Sequence, residues 1–385
     1  MKIFQERLIE QRKLNKLTQR QMAEYLQITQ PSYIRYENGT SQPSLESLVK
    51  IADHFDVSVD YLLGAMNKKT KKWLIAAAFL TIIGSVIFAA IMTSFDWDFS
   101  KLSTVNYQKN SHIISEEFSG ISIDTDTADI TFVLDPEGNS YVACLDIENA
   151  LHTVDVQNGI LTIRQNDERE WYEYIGFGVE KPSITVYLSQ SQYDSLQINE
   201  STGDVLIPKG LTFRSINISV STGDVENHAS SLENIKIKAS TGDIYVEGVT
   251  AKSISLSVST GAVTVSDVIC QEDVTITVST GKTNMTNVGC KNVISSGDTG
   301  NMILNHVVAA EKLSLERTTG DITFNGCDAG EILVKTDTGD VTGCLLTDKV
   351  FLAQTDTGNV DVPKTSTGGK CEISTSTGDI KIIIE

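Results

Sequence analysis

Histidine and cysteine are scarce in this chain of 385 residues, at five and six respectively. The histidines are scattered and no Cys/His spacing matches a zinc site, so the sequence nominates no metal ligands and no cofactor. No Ser/His/Asp arrangement and no carboxylate pair stands out, so it nominates no catalytic residue and argues against an enzyme. Basic residues are also short, 31 Lys/Arg against 50 Asp/Glu, for a net charge of −19. That deficit is uneven. Residues 1–72 carry 12 Lys/Arg against 8 Asp/Glu and the remainder 19 against 42, which divides the charge into a head at +4 and a body at −23. A basic head and an acidic body face different partners.

Charge is absent altogether from Trp73 to Met92, a run of 20 residues. At about 1.5 Å per residue this is long enough to cross a hydrocarbon core of ~30 Å. Lys68, Lys69, Lys71 and Lys72 precede it, and Asp96 and Asp98 follow. Clustered lysine places the N-terminal side in the cytoplasm. The expected protein is therefore a single-pass protein of the cell membrane, embedded in the lipid bilayer, with its N-terminus inside and its C-terminal body outside. All six cysteines fall in that body, where disulfides are permitted. Ala251, Ala309 and Ala329 share the repeat slot of Cys270 and Cys290, which favours small, buried, free thiols.

What the body does have is a period. Thr-Gly recurs at Thr202, Thr222, Thr241, Thr260, Thr280, Thr299, Thr319, Thr338, Thr357 and Thr377, every 19 or 20 residues. Three of these read Asp-Thr-Gly, the triplet of aspartic proteases, at Asp298, Asp337 and Asp356. Serine replaces that aspartate in six repeats, which a catalytic dyad would not tolerate. The triplet is a repeat landmark. Apolar residues alternate on both sides of it, as in Val205/Ile207 and Ile216/Ile218/Val220. Period two means strands with one buried face, and a fixed ~20-residue period means a solenoid. The expectation is an all-β parallel β-helix of roughly nine coils, each stacked on its sequence neighbour. Thr-Gly-Asp marks a corner, with glycine permitting the bend. The recurring Asp after Gly (Asp204, Asp224, Asp243, Asp321, Asp340, Asp379) reads as a polar corner ladder, with a calcium-binding column as the less favoured alternative.

The head reads as five short helices with Thr18, Thr29, Ser44 and Ser58 as N-caps. Thr18 and Gln21 have capping-box spacing, and the second and third helices, separated by a short turn, form a helix-turn-helix. The stretch "LTQRQMAEYLQITQPSYIRYENGTSQPSLESLVKIADHFDVSVDYLLG" resembles the Xre/Cro phage-repressor family over nearly all of residues 3–64. Gln27 departs from it, standing where the family often has glycine in the turn. The resemblance implies double-stranded DNA as partner, with the third helix in the major groove. Carried onto matching positions, Gln30 and Arg35 are base readers, with Ser32 beside them close to the backbone. Gln19, Asn38 and Thr40 are phosphate contacts, and Tyr33 and Tyr36 are packing residues. Such heads work in pairs, so a homodimer is expected. Ala77, Thr81, Ser85 and Ala89 form a small-residue stripe that could join two spans.

The pattern "FSGI…ADI…NGILTI…VYL…YDSL…STGDV" resembles a bacterial cell-envelope family of adhesin-like proteins of unknown function, over roughly residues 115–385. That resemblance implies a surface-exposed β-solenoid and no defined ligand. The expected organisation is a helix-turn-helix domain over 1–66, a basic linker at 67–72, a transmembrane helix at 73–92 and an extracellular linker at 93–114. An irregular β cap follows over 115–200, then regular repeats over 201–385. The function expected of it is a membrane-anchored transcriptional regulator whose outer solenoid senses a ligand or envelope protein. A RodZ-like scaffold, whose head binds protein rather than DNA, and a surface adhesin are the alternatives.

Overall fold

The computed structural model describes residues 2–64, 105–171, 178 and 180–385, with isolated helical positions at 81, 84, 85, 88, 89 and 93. The chain divides into two compact units, Met1–Phe99 and Ser100–Glu385. Most of the expected span at 73–92 lies outside the described residues. Among those that are described, no helix is long and apolar enough to cross a membrane. On the expected small-residue stripe, the Ser85 hydroxyl donates to the Thr81 carbonyl of its own helix at 2.7 Å.

Residues 2–64 hold five helices: α1 (Lys2–Leu14), α2 (Gln19–Tyr25), α3 (Gln30–Asn38), α4 (Leu45–His54) and α5 (Val59–Leu63). Their starts follow from side-chain chemistry. Thr18 accepts from Gln21 N while the Gln21 side chain takes the Thr18 N–H, so the capping box is complete. Ser44 and Ser58 cap α4 and α5 through Ser47 N and Tyr61 N, each at 3.1 Å. Thr29 differs from expectation. It stands at the N-cap of α3 without capping it, because its hydroxyl pairs with Ser32 Oγ at 2.9 Å. The helices enclose one core built on Leu8, Met22, Tyr33, Ile51 and Leu62, each fully buried.

The second unit is a β-solenoid in which, among the described residues, 25 strands join one continuous sheet. Coils stack in parallel with Thr opposite Thr and core residue opposite core residue. Ile216, for example, lies between Leu196 and Ile235. The interior is a stack of Ile, Val and Leu columns. The Thr-Gly corner is required sterically: a Cβ on Gly223 (φ +143°) would lie 1.8 Å from the Gly203 carbonyl oxygen of the coil beside it.

The Asp column is a hydrogen-bond ladder. Asp224 N donates to Asp204 Oδ1 at 2.8 Å, Asp243 N to Asp224 Oδ1 at 2.7 Å and Ala262 N to Asp243 Oδ1 at 2.7 Å. It resumes from Asn301 to Asp321, Asp340 and Asp379. Each carboxylate or amide thus satisfies a corner N–H that the sheet leaves unpaired. A second corner, which the Thr-Gly landmark does not reveal, lies six residues after the glycine in five successive coils, from Gly242 to Gly320. Gly248, Asp267, Asn287, His306 and Gly326 all take φ between 52° and 65° there. Asp and Asn tolerate this left-handed region better than most side chains.

Two further expectations change. The coils do not all stack in chain order, for Gly369–Thr377 inserts between Glu331–Thr338 and Lys349–Thr357. Gly339 N accordingly donates to Thr377 O, and Gly378 N to Thr357 O. The repeat is uniform enough that either order preserves register, so periodicity alone could not choose. The expected linker at 93–114 is also shorter, since Tyr107–Ile113 is a strand antiparallel to Tyr141–Ile147. At the start of the solenoid, antiparallel strands 141–147, 150–157 and 160–167 join the sheet. There Ala128 and Asp129 take the corner places of Gly and Asp, with Asp204 N donating to Asp129 Oδ1. All six cysteines are free, and all but Cys344 are buried. Burial pushes the Cys290 and Cys371 thiols up to about 12.

Candidate nucleic-acid interface

The turn between α2 and α3 closes as a Schellman motif, with Ile28 N on Ala23 O at 2.9 Å and Gln27 N on Glu24 O at 3.1 Å. Gln27 takes φ 55°. A glutamine thus adopts the left-handed place that usually falls to glycine, at a cost of roughly 1 kcal/mol. Gly39 ends α3 at φ 72°. The turn sets α3 across α2 with one face inward and the other open.

The inward face carries Tyr33 and Glu37. Tyr33 is fully buried and its hydroxyl has no hydrogen-bond partner. Burial raises its phenol well above the usual range, with the Glu37 charge adding to the effect. Tyr36 is half-buried against the same core. Glu37 is 5% exposed and receives three hydrogen bonds. Arg12 donates from Nε at 2.6 Å and from Nη2 at 3.1 Å, and Gln19 donates from Nε2 at 2.7 Å. This clamp ties α1 and the first residue of α2 to the end of α3. The hydrogen bond to Glu37 raises the Arg12 guanidinium further above its ordinary value, against the opposing effect of burial. The pair is not evident from the sequence, where Arg12 and Glu37 are 25 residues apart. Its one signal was an acid four residues after Tyr33, on the helix face that had to be buried.

The outward face holds what the sequence nominated. Gln30, Arg35 and Asn38 are exposed and Ser32 is half-buried, all on α3, with exposed Thr40 just beyond its end. Ser32 is engaged with Thr29, and Thr40 N is committed to Arg35 O at 3.0 Å. Gln19 stands apart, half-buried at the start of α2, with its side-chain nitrogen on Glu37. Arg20, beside it, is exposed and only loosely paired with Glu24 at 3.7 Å.

Residues 8–62 match a helix-turn-helix family. An uncharacterised HTH-type transcriptional regulator of Bacillus subtilis, YqaE, is 47% identical over 68 residues, covering 17% of this chain and 59% of that protein. The cryptic phage CTXphi transcriptional repressor RstR of Vibrio cholerae is 50% identical over 64 residues, covering 17% and 56%. The chain thus spans little more than half the length of these relatives. A solved structure from Parabacteroides distasonis, described as a "putative adhesin", is similar at a TM-score of 0.42 and 11% identity, covering 73% of this chain and 98% of that one. At that level the likeness carries no weight. The Toastrack DUF4097 family matches residues 118–277 and 263–385. With most of its length in that match, the chain belongs to the Toastrack DUF4097 family.

Proposed function

We propose that the protein is a sequence-specific DNA-binding transcriptional regulator anchored in the cell membrane. The observation that carries this reading is the division of α3 into two faces. One is locked inward by Tyr33 and the Glu37 clamp, and the other presents Gln30 and Arg35 to solvent. Glutamine offers a donor and an acceptor that match the adenine edge, and arginine a fork that matches guanine. Ser32, Asn38 and Thr40 then flank the backbone. Because the Gln19 side-chain nitrogen is held by Glu37, its main-chain N–H is the group left for a phosphate.

Anchoring is supported by the uncharged run at 73–92 with lysines before it and aspartates after it. In this arrangement the solenoid lies outside the cell, where it meets a ligand or envelope partner, and paired heads read two half-sites. The test is binding of the full-length protein to genomic fragments, its own upstream region included, across a salt series. Selective binding abolished by the double change Gln30→Ala/Arg35→Ala supports the reading. Unselective or absent binding overturns it and favours a scaffold whose head holds a protein. Carbonate extraction of the membrane fraction tests the anchor, since release of the chain would exclude a spanning helix.

A further inference from the structure

The cap of the solenoid brings together three side chains that the sequence leaves apart. Cys144 and Asp146 alternate onto the buried face of strand 141–147. A two-residue turn, Glu148–Asn149, with Asn149 at φ 65°, returns the chain so that His152 on strand 150–157 meets them. The three are no more than 3% exposed. The Cys144 sulfur, an Asp146 carboxylate oxygen and a His152 ring nitrogen all lie within 4.8 Å of one another. Among the described residues no other group of His, Cys and acidic side chains converges in this way.

The hydrogen bonds around the cluster have the form of a ligand-orienting shell. His152 Nδ1 faces Asp146 Oδ1 at 2.6 Å, and Nε2 faces Thr125 Oγ1 at 2.8 Å. Thr125 in turn lies 3.3 Å from Gln165 Oε1, and Asn110 Nδ2 donates to Asp146 Oδ2 at 2.9 Å. Thr125 has a single hydroxyl proton for two acceptors. Its shorter contact is the one to His152 Nε2, and Gln165 Oε1 is already served by Asp126 N at 2.9 Å. Without a metal, His152 Nδ1–H donates to the Asp146 carboxylate and Nε2 accepts from Thr125. The thiol beside them makes no hydrogen bond in the structure. Half-buried Asn110 and Gln165 are the more exposed members of the network.

We propose that Cys144, Asp146 and His152 form a binding site for a divalent transition-metal ion of the zinc class. One thiolate, one imidazole and one carboxylate form a donor set suited to zinc, with a fourth position for water or for the Asn110 amide oxygen after a flip. Donors around such an ion stand roughly 3.3–3.7 Å apart, so the Asp146–His152 contact opens by under about 1 Å and the sulfur closes on it. Binding releases the thiol proton of Cys144 and shifts the ring proton of His152 from Nδ1 to Nε2, where Thr125 accepts it and turns its own hydroxyl to Gln165, a contact outside the ligand set that holds the ring. In the metal-free chain, burial with the neighbouring Asp146 charge lifts the Cys144 thiol to about 12. Burial works against the Asp146 charge, but hydrogen bonds from His152 and Asn110 outweigh it and hold that carboxyl below its usual range.

The probe is cobalt(II), titrated into the full-length protein after dialysis against chelator, with zinc(II) as competitor. The expected result is one cobalt per chain with a thiolate-to-cobalt charge-transfer band, displaced by zinc. Cys144→Ser and His152→Gln remove the band, while Cys270→Ser keeps it. Thr125→Val weakens binding about ten- to a hundredfold. A wild-type chain that shows no such band, or a band that survives Cys144→Ser, overturns the proposal. Should either variant lose its β circular dichroism, X-ray absorption on the zinc-loaded wild type decides instead. One sulfur among nitrogen and oxygen ligands supports the site, and a shell with no sulfur or with several rejects it.

Discussion

Arg12 grips Glu37 with two nitrogens, Nε at 2.6 Å and Nη2 at 3.1 Å, and so fastens α1 to the last turn of α3. Both side chains are largely buried, Arg12 at 13% and Glu37 at 3% exposed. Removing one partner of a buried pair leaves an uncompensated charge. Glu37→Gln is therefore expected to destabilise the head by about 3 kcal/mol, read as a lowered urea midpoint for the head transition. Arg12→Met should cost a similar amount. The double change Arg12→Met/Glu37→Leu should cost less than either alone, because no unpaired charge remains.

Helices α3 and α2 predict different DNA defects. Arg35→Ala removes the proposed base contact and should cost about 1–3 kcal/mol on the preferred operator, with little loss on unrelated sequence. Arg20→Ala lies on α2, away from base edges. It should weaken binding to all sequences alike and flatten the dependence on salt by about one ion. Fluorescence anisotropy on specific and scrambled duplexes at several salt concentrations separates the two. Equal losses on both duplexes for Arg35→Ala would remove it from base reading.

Inside the solenoid, Glu200 stands between Thr125 and Val220 in its column, with 5% exposure and one carboxylate oxygen unpartnered. Burial is the main cause that lifts its carboxyl to about 8. The folded form thus holds a proton that the unfolded chain releases near pH 4.5, so stability falls as pH rises from about 4.5 to 8 and is flat beyond. One pH unit of difference is worth about 1.4 kcal/mol, which bounds the loss at roughly 4–5 kcal/mol. Glu200→Gln should abolish this slope and stabilise the solenoid at pH 8, as measured by thermal unfolding across the range. A wild-type midpoint that holds steady from pH 5 to pH 8 would contradict the assignment.

Gly297 makes room for Arg317, its register partner on the neighbouring coil. Arg317 is 1% exposed, with Nη2 on Thr283 Oγ1 at 2.5 Å, and burial lowers its guanidinium below the ordinary value. A Cβ on Gly297 would lie 1.8 Å from Arg317 Nη1 and 1.9 Å from the Val278 oxygen. Gly297→Ala should therefore cost about 2–4 kcal/mol. Arg317→Met is expected to be neutral or stabilising, since no carboxylate pairs with the buried charge. It should rescue only part of the alanine loss, because the clash with the Val278 backbone remains. Calorimetry of the two single variants and the double variant measures that coupling.

Much of this protein was legible in its letters because local rules decide it. Thr18, Ser44 and Ser58 cap helices through side-chain oxygens within three residues. Alternation of Val, Ile and Leu turns one face of each strand inward. The Thr-Gly period sets a corner that only glycine can occupy when another corner lies beneath it. The resemblance to a repressor family, rather than spacing, nominated the exposed Gln30 and Arg35 and the buried Tyr33. Contacts between distant segments were not legible. Nothing local distinguishes a terminal coil that stacks in order from one that inserts a place early, because every coil presents the same pattern of donors and apolar columns. Glu37 was an ordinary surface-type residue until Arg12 and Gln19 closed on it from other helices. Cys144, Asp146 and His152 were three unremarked letters until an antiparallel return, absent from the parallel repeats, set them face to face. Sequence alone determines what each segment prefers. Which segments meet is decided by burial, where a polar group must find its partner in whatever part of the chain the fold brings to it.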